Sequence, residues 1–405
     1  MIRDAARQKR AATREHAAAA RRAEQARSRA EQARSAEERA RKKAAQAENG
    51  IFRKTLEKEA KFAHVAAMEA DVEERNAELA SIYDDIDSLL SATLCVDDYV
   101  DLETLRRTAE NPPFDRSDLE VPTPTPAVVP EPYEPTLTLP KPPKGLFVFG
   151  RKKKHAMAVA AAEAAYSKAH AAWENEIEAI RVRRKKDAEK YAHDELDRIA
   201  TLEQERARFE AEVIEHNRSI DTLITNLGYG TPEAVHEYVS IVVSNSVYPE
   251  HFKVDHSFTF EPKTAELVMR VLVPPPSNFP SIKAFKYNKS SDEITSTPMS
   301  QRELKDRYSG AVHKVGIRSI HEVFEADRRG LIRMISLEVG TEDTVPATGK
   351  VSYIPFLAVA AERDAFIDFD LSGVTPVATL KHLGAAISKD PYGLVSADIT
   401  GIRRS

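Results

Sequence analysis

The segment 121–143 reads VPTPTPAVVPEPYEPTLTLPKPP, and it lies between two long stretches that contain no proline. Proline lacks a backbone N–H and fixes φ, so this segment cannot be helical and favours extended polyproline geometry. The whole proline-rich linker, 111–150, spans on the order of 100 Å at ~3.1 Å per residue. A turn between two antiparallel helices needs only about 2 to 8 residues. We therefore expect the linker either to run back along a helix or to display a proline ligand.

Upstream, residues 3–94 contain no proline and one glycine, Gly50, among strong helix formers. Apolar residues recur there at spacings of three and four, the heptad pattern of a coiled coil. The pattern predicts a long coiled-coil helix over 1–110, with Gly50 marking a bend. Alanine lines the first half of the stripe, so we expect that half to be frayed or packed closely against another helix. The stripe includes Ala23, Ala26, Ala30, Ala33, Val65, Met68, Val72, Leu79, Ile82, Ile86 and Leu89.

The second proline-free stretch predicts another coiled-coil helix over 151–228. Three polar residues, Arg184, Asp187 and Glu195, interrupt its apolar stripe. Such interruptions cost stability but can fix the register and the choice of partner. The apolar positions are Trp173, Ile177, Ile180, Tyr191, Ile199, Leu202, Phe209, Val213, Ile220, Leu223 and Leu227.

Residues 231–405 concentrate the large apolar and β-branched side chains, and these alternate as they do in strands. The predicted order is helix, three or four strands, helix, two or three strands, helix. This gives an α+β fold class, with two coiled-coil helical arms and a C-terminal mixed α/β domain. Ser300 followed by Glu303 predicts a capping box on the central helix. A short strand is predicted at 366–369 and a last helix at 376–387.

Net charge, cysteine content and the distribution of apolar residues limit the classes of function that this chain can have. The formal net charge of −5 argues against a protein that coats nucleic acid, although residues 1–54 are mainly basic and 57–120 mainly acidic. The single cysteine, Cys95, excludes an internal disulfide and fits a reducing compartment. No stretch approaches the roughly 18 apolar residues of a membrane span, and no signal-peptide core follows the basic N-terminus. We expect a cytoplasmic protein with no transmembrane segment and no cofactor.

Glycine and basic residues near the second helix raise two binding hypotheses. The stretch from Gly145 to Gly150 has the glycine spacing of a phosphate-binding loop, but Arg151 and Lys152 stand where Lys and Ser or Thr are required. Two basic runs are either solvated helix faces or contacts for nucleic acid or an anionic membrane surface. The candidate contact residues are Arg151, Lys152, Lys153, Lys154, Arg183, Arg184, Lys185 and Lys186.

Two further patterns concern metal chemistry. His321 and Glu325 stand four residues apart on a predicted helix, so they share one face and are candidate metal ligands; an ordinary surface pair is the alternative. The helix, three strands, helix, strand order is that of restriction-endonuclease-like nucleases, which hold their metal with strand carboxylates and a nearby lysine. The sequence offers no such set in place, and we predict no catalytic residue. The residues of suitable type are Asp255, Glu261, Lys263, Glu266, Lys283 and Lys286.

Several short stretches resemble bacterial coiled-coil proteins labelled "restriction system protein". They are NPPFD (111–115), NSVYPE (245–250), AFKYN (284–288), DEIT (292–295), RYSGAVH (307–313) and HEVFEADR (321–328). The resemblance implies a bacterial cytoplasmic protein connected with the restriction of foreign DNA. We predict a non-enzymatic homo-oligomeric scaffold whose C-terminal domain binds a protein or DNA. The alternative is a DNA-binding or DNA-processing subunit with a divergent nuclease-like domain.

Overall fold

The computed structural model forms two compact units. We call residues 1–104 with 221–405 the mixed unit, and 105–220 the strap unit. The mixed unit joins the first helices to the C-terminal sheets, whereas the sequence predicts the consecutive segments 1–110, 111–150, 151–228 and 231–405. The residues that the structure describes are 2–46, 50–108, 113–142, 150–345 and 347–400.

The chain contains long helices and a C-terminal mixed sheet, which agrees with the predicted α+β class. The helices are α1 (Ile2–Ala45), α2 (Gly50–Asp87), α3 (Leu89–Thr93), α4 (Arg151–Tyr229), α5 (Pro232–Asn245), α6 (Gln301–Ala326), α7 (Arg363–Ile367) and α8 (Pro376–His382). The strands are β1 (Asp255–Glu261), β2 (Glu266–Leu272), β3 (Ile282–Asn288), β4 (Glu293–Pro298), β5 (Met334–Thr344), β6 (Val351–Glu362) and β7 (Ala386–Ile387).

The first arm is a hairpin of two helices and not the single long helix that the sequence predicts. Arg27 of α1 pairs with Glu78 of α2 at 2.6 Å, and Glu37 of α1 lies 2.8 Å from His64 of α2. Positions therefore rise along α1 as they fall along α2, so the helices are antiparallel. Ala30 is fully buried, which shows that the alanine half of the stripe is closely packed. The reversal brings the basic first half against the acidic second half, and it buries Ala26 and Ala30 between the two helices.

In the strap unit, the proline-rich residues 113–142, which we call the strap, run antiparallel along α4. The indole N–H of Trp173 donates to the Pro132 carbonyl at 2.9 Å, and Phe114 contacts Phe209 edge to face. Within this unit the strap therefore covers the apolar stripe of α4, which agrees with the expectation that the linker runs back along a helix and not with cover by another helix. The other contacts include Thr123 to Glu195, Val129 to Arg184 and Pro140 to His155.

The mixed unit contains a five-stranded sheet in the order β1-β2-β5-β6-β7, in which only β2 and β5 pair in parallel. The predicted third strand, β3, lies outside this sheet and forms a separate hairpin with β4. This hairpin packs on α2, because Asn76 bonds the backbone of Phe285 and Tyr83 donates to the Ile282 carbonyl. The main sheet therefore contains only two of the three consecutive strands of the nuclease-like order, because the third, β3, belongs to the separate hairpin.

The central helix α6 packs directly on β5 and β6. Gly316 allows the close approach, since a Cβ at this position would collide with the buried side chain of Leu357. The predicted capping box is half formed: the Ser300 hydroxyl accepts from the Glu303 N–H at 3.2 Å.

After β6 the chain departs from the prediction. Residues 366–369 were predicted as a strand, but α7 begins at Arg363, whose guanidinium donates to the Asp327 carbonyl at 2.5 Å and holds the chain against the end of α6. The predicted last helix ends at His382 and is followed by β7.

Candidate functional site

Helix α6 brings the predicted metal pair together. Its 3.6-residue period places His321 one turn before Glu325. The imidazole Nε2 lies 3.4 Å from Glu325 Oε2, and both side chains are partly buried. That oxygen is buried yet has no hydrogen-bond partner within the described residues. A buried carboxylate oxygen without a donor is costly, so this position is suited to a cationic ligand.

A third ligand, Asp98, comes from the segment that follows α3. One donor atom each from Asp98, His321 and Glu325 lie within 4.8 Å of one another, and this is the one such group of three or more among the described residues. Sequence reasoning missed Asp98 because it lies far away in the chain, in a segment without helical or strand periodicity. Nothing in the local pattern distinguishes it from its neighbour Asp97.

The electrostatics of the cluster are dominated by carboxyl groups in a partly desolvated position. Burial, the charge of Glu322, and the hydrogen bond and charge of Glu325 together raise the pKa of Asp98 to about 7, while Arg318 opposes the shift. The carboxyl groups of Asp98, Glu322 and Glu325 thus lie close together, near the single guanidinium of Arg318. A positive ion placed among them would relieve this repulsion.

A buried polar network supports the cluster from behind. Arg318 and Glu322 form an ion pair at 2.6 Å with side chains 6% and 2% exposed. The Thr93 hydroxyl lies 3.0 Å from Glu322 Oε1 and 3.4 Å from Asp98 Oδ2, so it links the network to the third ligand. Such outer contacts fix the orientation of metal ligands. The contact with Thr93 therefore helps to place the Asp98 carboxyl group, although its own segment has no regular secondary structure.

A pocket of about 310 Å³ opens beside the cluster. His321 and Glu325 are part of its wall, and the rest is mainly apolar with Asp370 as a further carboxylate. The other lining residues are Leu94, Phe324, Phe366, Ile367, Phe369, Leu371 and Ser372. A ligand in this pocket would lie next to two of the three candidate metal ligands.

The two predicted basic runs have different surroundings in the strap unit. Residues 151–154 are exposed at the first turn of α4 and form no ion pair with another described residue. In the second run, Arg183 and Lys185 each pair with an acidic residue one turn away, and Lys186 is exposed. Arg184 instead donates to the Val129 carbonyl and to Glu131 of the strap. The loop-like stretch 145–149 lies outside the described residues.

The residues considered for nuclease chemistry do not converge. Asp255 and Glu261 occupy opposite ends of β1, about 20 Å apart at about 3.4 Å per residue. Glu266 lies opposite Glu261 but is buried, where it accepts from the Ser336 hydroxyl at 2.5 Å. Lys283 pairs with Glu303. Lys263 lies in the turn between β1 and β2, and Lys286 is on β3 in the separate hairpin.

Among the described helices, none has an apolar stretch long enough to span a bilayer. Comparisons with protein-family models, with curated proteins and with solved structures gave no match for this chain.

Proposed function

We propose that this chain is a non-enzymatic interaction protein in which α4, reinforced by the strap, is a stiff spacer. The observation that carries the proposal is the docking of the strap along α4. Residues 151–220 of that helix extend for about 105 Å at about 1.5 Å per residue. An isolated helix has little tertiary packing to stabilise it, and the strap supplies that packing.

Arg184 and Arg183 give a matched test of strap docking. Arg184 donates to the Val129 carbonyl at 2.5 Å, whereas Arg183 pairs only across its own helix with Asp187 at 3.7 Å. A hydrogen bond from a charged group contributes about 1.5–3 kcal/mol, so Arg184→Ala should raise the undocked fraction of the strap by about tenfold or more. Arg183→Ala should leave it unchanged.

Spin labels at Val128 on the strap and Glu203 on α4, both exposed, would report the docking. Pulsed electron paramagnetic resonance on the full chain should give one narrow distance distribution for the native protein and for Arg183→Ala, and a broader one for Arg184→Ala. Cys95 would first be replaced by serine. A broad distribution in the native protein would remove the spacer proposal.

Self-association stays a prediction. The sequence argument for it was that two apolar stripes need partners, and both stripes have cover within their own unit, α2 for α1 and the strap for α4. Light scattering would measure it directly, since a monomer has a mass of 45.1 kDa.

The exposed residues 151–154 favour a second candidate function, contact with DNA. Cations at a helix N-terminus are opposed by the helix dipole, so this cluster does not serve helix stability. Replacing Lys152, Lys153 and Lys154 with glutamate should weaken binding of duplex DNA roughly tenfold or more at low salt.

The second basic run supplies the control for this DNA test. Charge reversal at Arg183 and Lys185 should change DNA binding little, because acidic residues one turn away already offset those two charges. Gel shifts with both variants would measure the difference, and equal losses would rule out a specific contact. Incubating the same DNA with Mg²⁺ or Mn²⁺ tests the DNA-processing alternative, for which cut DNA would be the signature.

A further inference from the structure

We propose that Asp98, His321 and Glu325 bind one divalent transition-metal ion, with Zn²⁺ as the best match to their donor atoms. One imidazole and two carboxylates are donors that Zn²⁺ accepts, and three protein ligands leave a fourth position for water or a further ligand. This site lies in the mixed unit and is independent of the proposed spacer.

The spacing of the donor atoms fits a metal ion. Ligand bonds of about 2.0–2.1 Å in a tetrahedral site place neighbouring donors about 3.3 Å apart. His321 Nε2 and Glu325 Oε2 are already 3.4 Å apart, and Asp98 completes a group within 4.8 Å. The Asp98 carboxyl group needs only a small shift to close the remaining gap, and its 3.4 Å contact with the Thr93 hydroxyl is long enough to permit one.

The alternative is a simple surface pair between a histidine and an acid one turn away. The chain contains such a pair on α4, where His193 Nε2 lies 3.5 Å from Asp197 and both side chains are more than 60% exposed. That pair has no third ligand within the described residues. The pair on α6 differs because a second carboxylate faces it and because Glu325 Oε2 is buried without a hydrogen-bond donor.

The pocket supports an open coordination position. His321 and Glu325 form part of the wall of the 310 Å³ pocket, so an ion bound to them would be reached from that side. Away from the residues that line the pocket, Thr93 connects Asp98 to the buried pair of Arg318 and Glu322. The site thus has a supported face and an accessible face, the arrangement of metal sites that retain a water ligand.

Titration calorimetry tests the site with ZnCl₂ alone, added to the full chain after dialysis against a chelator. We expect one Zn²⁺ per chain. Each of Asp98→Asn, His321→Gln and Glu325→Gln should raise the Kd by roughly 100-fold or more, because each removes a ligand and outer contacts alone are already worth 10–100-fold. His193→Gln removes the exposed pair on α4 and should leave the Kd unchanged.

Co²⁺ supplies a second readout that does not depend on affinity. Tetrahedral coordination should give visible absorption bands that Asp98→Asn abolishes while its circular dichroism spectrum stays native. Asp98→Asn preserves the shape of the side chain, so it keeps the test valid if a change on α6 prevents folding. Equal Zn²⁺ affinity in the native protein and in Asp98→Asn, or no binding at millimolar Zn²⁺, would overturn the proposal.

Discussion

Replacing Arg318 with methionine should lower the free energy of unfolding by about 3–5 kcal/mol, because it leaves Glu322 as an unpaired buried charge. The guanidinium is almost fully buried and uses most of its donors. Its Nε donates to Glu322 at 2.6 Å, its Nη1 to the Leu89 carbonyl at 3.2 Å and its Nη2 to Ser246 and to the Val247 carbonyl at 2.9 Å. The side chain therefore joins α6 to α3 and to the end of α5.

The same helix contains a matched control. Arg302 and Asp306 have the same four-residue spacing, lie 3.7 Å apart and are 93% and 73% exposed. Exposed pairs contribute about 0–1 kcal/mol, so Arg302→Ala should be nearly neutral. Urea unfolding of both variants measures the difference. Removing both buried charges, Arg318→Met with Glu322→Leu, should recover part of the loss, since a buried pair replaced by apolar residues is often tolerated. A loss below about 1 kcal/mol in the single variant would contradict this account.

The elements of the mixed unit that follow local rules were predictable from the sequence. Pro232 follows Thr231 at the start of α5, a local signal in the sequence, and Ser300 with Glu303 predicts the start of α6. These signals act over one turn of chain, where capping residues and fixed φ decide the conformation. The alternation of apolar and polar residues that predicts β1 and β2 is likewise a local signal, because successive side chains of a strand point to opposite faces of the sheet.

The features that the sequence left undetermined depend on long-range pairing. A heptad pattern shows that a helix has an apolar face that must be buried, but it does not show which element buries that face. In α1 the cover is α2, and in α4 it is a polyproline strap whose contacts include backbone carbonyls, such as those of Pro132 and Val129. Asp98 reaches the metal cluster for a similar reason: its position is fixed by α3 and the buried network, and not by any periodicity of its own segment.

Acid should destabilise the protein through His313 on α6. Burial and the positive charge of Lys381 together lower the pKa of this imidazole to about 4. Its Nε2 is buried without a hydrogen-bond partner in the described structure. The unfolded chain binds a proton at an ordinary histidine pKa of about 6.5, whereas the folded chain resists it down to about 4. The contribution of His313 to stability is therefore complete above about pH 6.5 and decreases as the pH falls towards 4.

The expected size is about 3 kcal/mol over this window, since one pKa unit corresponds to about 1.36 kcal/mol. Asp98, whose pKa burial raises to about 7, acts in the opposite direction over part of the same window, so the comparison must be between variants.

His313→Gln has no imidazole to protonate. Relative to the native protein, it should therefore gain about 2–3 kcal/mol between pH 7.5 and pH 4.5 in urea unfolding. His193→Gln removes an exposed imidazole and should show no such gain. A pH-independent difference for His313→Gln would contradict this account, because it would mean that the imidazole has the same pKa in the folded and the unfolded chain.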